Sequence, residues 1–434
     1  MRSLASFFCM ILLIILALGP ASLSATESES ADFTYSRSGL SRDMSPDVGD
    51  ADLRELVSGN TDFAFDLYHA ISDEAENLFY SPYSISVALA MTYAGARGNT
   101  EAQMRDVLHF TLAQESLHPA LNALDLEIAS RRDQVSASGG DSFRLNIVNS
   151  IWGQNEYEFL QEFLDLLSLN YGAGMRLLDF VGNAEGCRNT INRWVEEQTQ
   201  NRVQELIPEG VIDQLTRLVL VNAIYFKASW VHAFEEAATR DGDFRLIDGG
   251  AVTVPMMEQT ESFRFAEGDG WQAVELPYVG DAVSMVIMLP EAGRFEEFEN
   301  DLDAESAAAA INALASATVH LTMPKFEYDC GFSLKETLYR MGMSDAFIMG
   351  AADFSGMDGT LNLYIYEVVH KAFVSVDEQG TEAAAATAVI MAERGLPGAV
   401  EAIEFKVDRP FIFLICDIPT GSILFIGRVM NPST

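Results

Sequence analysis

The apolar positions of this chain change period repeatedly. Phe63, Leu67 and Ala70 recur at helical spacing, so a helix is expected around 62–70. Asn77–Tyr80 reads as a short strand, and Ser81-Pro82 opens the next helix, because proline at a first helical position gives up an N–H that would go unpaired anyway. A helix from Asn99 to about His109, an amphipathic helix over 113–132 and a Ser/Gly loop at 135–142 follow. Residues 143–152 alternate as a strand, and 189–206 reads as a helix with Ile191, Trp194, Val195 and Val203 on or near one face. The nearly unbroken apolar run 215–230 is that of a strand buried on both faces. Further strands are expected at 251–258, 262–266, 272–277 and 282–290. A helix is expected over 334–341, and 404–429 carries two closing strands around Pro419-Thr420-Gly421. Strands and helices mix without a regular βαβ alternation, which makes the fold class α+β.

The amino terminus has a different character. Arg2 precedes an uncharged run from Ser3 to Ser24 with its apolar centre at 7–18, short of the ~20 residues that a bilayer span needs. Small residues follow at Ala21, Ser22, Ser24 and Ala25, as a signal-peptidase site requires. Residues 1–25 are therefore expected to be a secretory signal, giving a secreted, extracellular or periplasmic protein; an uncleaved membrane anchor is the alternative. Residues 26–52, rich in Ser, Asp, Glu and Gly, are expected to form a disordered tether. From residue 53 to 434 the length alone would suggest two or three domains, yet there is no linker-like stretch and no internal repeat.

A net charge of −37 argues against nucleic acid or anionic membranes as partners. No G-x-S-x-G, H-E-x-x-H, G-x-x-x-x-G-K or C-x-x-C occurs, and the chain does not read as an enzyme. Cys187, Cys330 and Cys416 lack metal-ligand spacing and are read as mainly free and buried, with one disulfide left open as an alternative. Neither a metal nor a cofactor is expected.

The most informative stretch is 374–397. Val374 and Val376 alternate with Ser375 and Asp377 as in a strand. Gly380 then opens a run of small residues from Thr381 to Ala388, and Arg394-Gly395 lies in a segment without apolar period. Continued as a strand, the run puts Thr381, Ala383, Ala385, Thr387, Val389 and Met391 on one face, none charged and none proline, while Glu382 falls on the other. Such a segment is small enough to slip between two existing strands and β-tolerant enough to stay there.

The run Asp377-Glu378-Gln379-Gly380-Thr381-Glu382-Ala383-Ala384-Ala385-Ala386-Thr387 resembles the hinge of the reactive-centre loop in inhibitory serpins. Phe79–Ile85, Leu220–Trp230, Val369–Ala372 and the segments Arg409–Phe413 and Gly427–Pro432 resemble other signatures of that family, in the family's order, over roughly residues 55–434. The resemblance implies a single domain over residues 53–434 with a serpin-like fold of three β-sheets and about eight or nine helices, and an exposed reactive-centre loop at about 378–403. It implies a shutter formed by Ser81, Ser84, Asn222 and His370 beneath the large sheet. It also implies a breach formed by Trp230, Lys325 and Glu378, where the loop first enters.

Seventeen residues counted from Glu378 end at Arg394, so by resemblance the reactive bond is Arg394–Gly395, with Met391 as the secondary candidate. The implied activity is suicide inhibition of a trypsin-like serine protease, with insertion of the cleaved loop into the large sheet and a covalent complex. The alternatives are a non-inhibitory carrier or chaperone of the same fold, and cross-class inhibition of cysteine proteases. Only Arg131 and Arg132 mark the end of the helix that carries a basic row in heparin-binding relatives, so no glycosaminoglycan cofactor is expected. The chain is expected to be a monomer.

Overall fold

Two hydrogen-bonded sheets organise the chain in the computed structural model, which describes residues 33–72, 76–137, 143–381 and 402–433. The first holds β1 (Thr34–Ser36), β3 (Arg144–Gln154), β4 (Met175–Leu178), β5 (Leu218–Ser229), β11 (Phe326–Ser333), β12 (Ile365–Asp377) and β13 (Gly380–Thr381), in the order β1-β4-β3-β5-β13-β12-β11. The second runs β14 (Ile403–Lys406), β10 (Ala315–Pro324), β7 (Ala251–Gly268), β8 (Trp271–Pro277), β9 (Val283–Pro290), β15 (Phe411–Asp417), β16 (Ser422–Val429) and β2 (Leu78–Tyr80), with β6 (Arg240–Arg245) attached to β7. Three sheets were expected; two are connected here because the 18-residue β7 joins what would be separate halves. Its first part pairs with β6, its middle with β10 and its end with β8. The strands expected at 251–258 and 262–266 are thus one continuous strand. Among the described residues there are ten α-helices, the last only four residues long.

The helix Pro82–Tyr93 is buried at every position and packs against β3, β5 and β16, between the sheets. Its mean hydropathy is high all round, as a helix without a wet face requires. Ser81 caps it by accepting from Ser84 N at 3.1 Å. On the opposite face of the first sheet, the helix Phe180–Gln198 covers Val148, Trp152, Val219, Val221, Ala223 and Val369 with Phe180, Cys187, Ile191 and Val195. Expected over 189–206, this helix begins nine residues earlier: Asp179 caps Gly182 N, and Asn183, at a kink, caps Gly186 N. It ends before Gln200 and Asn201, whose φ of 53° and 63° leave the helical region.

The disordered tether expected over 26–52 is corrected for its described part. Residues 34–36 form β1, antiparallel to β4 at the sheet edge, and Asp50 opens the 22-residue helix Asp50–Ile71. Low aliphatic content suggested disorder, but Phe33 and Tyr35 supply aromatic rings that pack on Trp152 and Arg176. The signal segment 1–25 lies outside the described residues.

Candidate functional site

The first sheet is divided by a seam between β5 and β12. Along its lower part the two strands pair directly and in parallel, from Ile365↔Leu218 to Phe373↔Tyr225. At its top they part, and β13 lies between them, antiparallel to both: Thr381 faces Val376 and Ala228, and Gly380 faces Asp377 and Ser229. The chain reverses after β12 through Glu378-Gln379, held by Asp377, whose carboxylate accepts from Gln379 N at 2.8 Å and Gly380 N at 3.2 Å. Gly380 passes so close to β5 that a Cβ there would lie 2.1 Å from the Ala228 carbonyl oxygen, so no other residue fits.

Three residues expected to guard this entrance are brought together. Lys325 Nζ lies 2.7 Å from the Glu378 carboxylate, and Thr239 Oγ1 donates to its other oxygen at 2.7 Å. Burial pushes the Glu378 pKa up, but the hydrogen bonds from Lys325 and Thr239 outweigh it, and the net shift is downward. Trp230 Nε1 donates to Asp377 O at 3.0 Å, and its backbone N–H donates to Gln379 O at 2.9 Å. The Trp230 ring stacks on Tyr278 at 4.5 Å, and Tyr278 in turn shares a 2.7 Å hydrogen bond with the fully buried Thr381 hydroxyl.

Lower in the seam, Ser81, Ser84, Asn222 and His370 are all buried. Asn222 Nδ2 donates to Ser84 Oγ at 2.5 Å and also to Asn149 Oδ1, while His370 Nδ1 donates to Asn222 Oδ1. Ser84 Oγ donates to Asn149 Oδ1 at 3.3 Å. Because Asn222 Oδ1 can only accept, His370 carries its proton on Nδ1, and its buried Nε2 has no hydrogen-bond partner. Burial holds this imidazole neutral, with its pKa lowered to about 3.

Asn149, Thr239 and Tyr278 were not singled out in the sequence, and Asp377 was named only as the start of the hinge run. Asn149 carried a signal, since it interrupts the apolar face Phe143, Leu145, Ile147, Ile151 of an alternating run. Thr239 and Tyr278 carried none. Glu382, Ala383, Ala384, Ala385, Ala386, Thr387, Arg394 and Gly395 lie outside the described residues. Arg131, counted as a basic residue at the end of its helix, is buried and held by Asp417 at 2.7 and 3.2 Å, so it is not displayed to a polyanion. Cys187, Cys330 and Cys416 are free, with burial raising their thiols to about 11, 11 and 12. Among the described residues no helix is long and apolar enough to cross a membrane.

A sequence model of the Serpin (serine protease inhibitor) family matches residues 58–432. An uncharacterised serpin-like protein of Thermococcus kodakarensis is 41% identical over 379 residues, covering 87% of this chain and 86% of that one. Human leukocyte elastase inhibitor is 39% identical over 391 residues, covering 88% and 100%. Among solved structures, the thermophilic serpin tengpin in its native state superposes with a TM-score of 0.81 at 30% identity, covering 92% of this chain and all of that one. The chain belongs to the serpin family of serine protease inhibitors.

Proposed function

We propose that this protein is a monomeric, exported suicide inhibitor of a trypsin-like serine protease, cleaved between Arg394 and Gly395. The observation that carries the reading is β13: Gly380 and Thr381 already occupy the top of the seam between β5 and β12, so the next residues of the loop have a lane to enter.

The chemistry follows from this lane and from the sequence beyond it. The protease serine Oγ attacks the Arg394 carbonyl carbon, the C–N bond to Gly395 breaks, and the Gly395 amine leaves with the proton relayed by the protease's base. An ester to Arg394 remains. Before water reaches it, the segment from Thr381 onward extends β13 downward. The β5–β12 pairing along the seam is lost, and an antiparallel ladder forms on each side of the new strand. Some fourteen residues at ~3.3 Å each span about 45 Å, enough to carry a tethered protease to the far end of the sheet.

Extending the register of β13 brings Thr387 level with Asn222 on one side and His370 on the other, between the two residues that now hold each other. Its parity matches that of Thr381, so its hydroxyl would face the same buried layer. In the same register Glu382 would stand opposite Lys227 and Ser375, on the face away from that layer. No step requires a metal or cofactor.

The test is incubation with trypsin, then a denaturing gel and mass spectrometry. The expected result is a complex that survives denaturation and a released fragment beginning at Gly395. Clean cleavage that leaves trypsin active would overturn the proposed pairing with a trypsin-like enzyme. Mass spectrometry of protein recovered outside the cell tests export, with a mature start near residues 21–25 expected.

A further inference from the structure

We propose that the protein carries a small-molecule site away from the seam: a groove at the end of the second sheet that takes an apolar chain or ring bearing one anionic head group, as a free fatty-acid-like carboxylate does. The site does not depend on the loop-insertion reading, because it shares no residue with the seam or with the reactive-centre loop.

The groove lies between two turns and encloses about 410 Å³, within the ~300–1,000 Å³ of small-molecule sites. One wall is the turn from β6 to β7, where Leu246 N donates to Gly250 O at 2.9 Å and Gly249, with φ at 85°, reverses the chain. The other wall is the turn after β9, held by Glu291 N donating to Gly270 O at 2.8 Å and Arg294 N donating to Glu291 O at 3.0 Å. The floor is Arg409-Pro410, just ahead of β15, and it is bonded to both walls. Arg245 N donates to Asp408 O at 2.8 Å, and Arg409 Nε donates to Pro290 O at 2.7 Å. A groove whose three segments are already tied together needs no ordering when a ligand enters.

Its lining is largely apolar: Leu246 and Ile247 on one wall, Pro290, Ala292 and Phe295 on the other, Pro410 below. Ile247 is 43% exposed although it sits at a hairpin tip beside Asp248 and Gly249, where polar residues are the rule. An apolar body laid against Ile247 removes that surface from water.

The charge sits at one corner. The Asp408 carboxylate accepts from Arg245 Nη2 at 2.8 Å through both oxygens and from Arg409 Nη1 at 3.1 Å, and Lys406 Nζ stands 3.9 Å away. One carboxylate among three cations leaves two positive charges over at that corner, in a chain whose net charge is −37. Asp408 occupies a single nitrogen of Arg245. Among the described residues the Nε and Nη1 of Arg245 have no hydrogen-bond partner, and its side chain is 55% exposed. An anionic head placed there gains charge-assisted bonds from the unused side of the guanidinium. Glu291 and Glu296 belong to the other wall, so an amphipathic anion is oriented with its head at Arg245 and its apolar end away from it.

The test is isothermal titration calorimetry of the full chain with decanoate, kept below the concentration at which it forms micelles. One site per chain is expected, with decylammonium at least tenfold weaker. Ile247→Asp, which charges the apolar wall, and Arg245→Gln, which removes the cation, should each weaken decanoate at least tenfold. Arg340→Gln, an exposed arginine outside the groove, should bind as the parent does. Thermal unfolding reads whether each variant folds; if Arg245→Gln melts early because Asp408 loses its partner, Ile247→Asp on the exposed tip decides. Vesicles of phosphatidylglycerol should not capture the protein, since an anionic surface repels so acidic a chain.

An absence of saturable decanoate binding overturns the site. So does binding that Ile247→Asp and Arg245→Gln leave unchanged, because the ligand then sits elsewhere. Tighter binding of decylammonium would assign the groove to cations through Glu291 and Glu296, and capture by the vesicles would make a membrane lipid the ligand; either result refutes a site for a free amphipathic anion.

Discussion

Asn222 and His370 face each other across the seam between β5 and β12, joined by a hydrogen bond from His370 Nδ1 to Asn222 Oδ1. Two strands that must separate for a loop to enter are thus cross-linked at mid-height by two buried polar side chains. Each also contributes to a layer reaching Ser84 and Asn149. Buried polar groups must be paired, so this layer favours a closed sheet or one filled by a residue able to replace the bond, and disfavours anything between.

That burial predicts a pH dependence. His370 and His118 are both lowered to about 3 by desolvation. The unfolded chain, with imidazoles near ~6.5, takes up protons that the folded chain refuses. Stability is therefore full above pH ~6.5 and falls as pH drops toward ~3, by up to about tenfold in the folding equilibrium per imidazole per pH unit. Urea unfolding at pH 7.5 and 5 should show the loss. His370→Gln should flatten the slope while lowering stability at the higher pH. An unchanged slope would mean that His370 is not held neutral.

The Lys325–Glu378 pair should contribute modestly. The Lys325 side chain is 37% exposed, so solvent screens the pair and a double-mutant cycle of Lys325→Met with Glu378→Gln should give roughly 1 kcal/mol or less. Glu378→Ala should cost more, about 1–3 kcal/mol, because Thr239 loses its acceptor as well. Since the Glu378 carboxyl is held below its ordinary range, its contribution is present above pH ~4.5 and disappears as pH falls below that. A coupling energy of zero would remove the pair as a restraint on the entrance.

Thr381 is fully buried beside Tyr278. Replacing it by Arg puts an uncompensated charge there, at a cost on the order of several kcal/mol. Thr381→Arg should be cut by the protease without trapping it, which a gel reads as cleaved inhibitor in place of complex. Stable complexes formed at the parent's yield would argue against insertion through this lane.

For Arg394→Ala the expected outcome is selective. Losing the cation that would occupy a charged primary pocket should remove roughly 2–5 kcal/mol from the interaction with trypsin. The second-order rate constant of inhibition measures it, with a small-pocket protease as the control. A rate left unchanged would move the reactive bond elsewhere, with Met391 as the next candidate.

Much of this protein was legible along the chain because the signals are local. The small, uncharged alternate positions from Thr381 to Met391, the apolar run before Trp230 and the proline opening the helix at Pro82 each depend on residues next to one another. So do the periodicities that placed β2, β3, β5, β8, β9 and the helices Gly98–Val107 and Lys335–Met341 within a few residues of their observed bounds. The short strands β1, β4, β6 and β14 left no period to detect, being six residues or fewer, and the longer β10, β11 and the helices Gln161–Tyr171 and Ala304–Ala313 were not read from the sequence either.

What the tertiary structure decided is which distant residues meet. Arg131 is a surface cation by its helix and a buried one by its partner Asp417, which lies 286 residues away. Arg42 reaches Asn122 across 80 residues, which fixes a polar stretch of low aliphatic content against the helix Gln114–Ala137. Nothing in the spacing of the Ala-rich run says that Gly380 and Thr381 already sit between β5 and β12. That depends on Trp230, Tyr278 and Lys325 arriving at the same corner from separate strands and loops. Side-chain size and period by themselves determined which segment could enter a sheet. Only the assembled fold determined that Trp230, Lys325 and Glu378 meet at the top of the seam, because hydrogen-bond partners are selected by proximity in space and not along the chain.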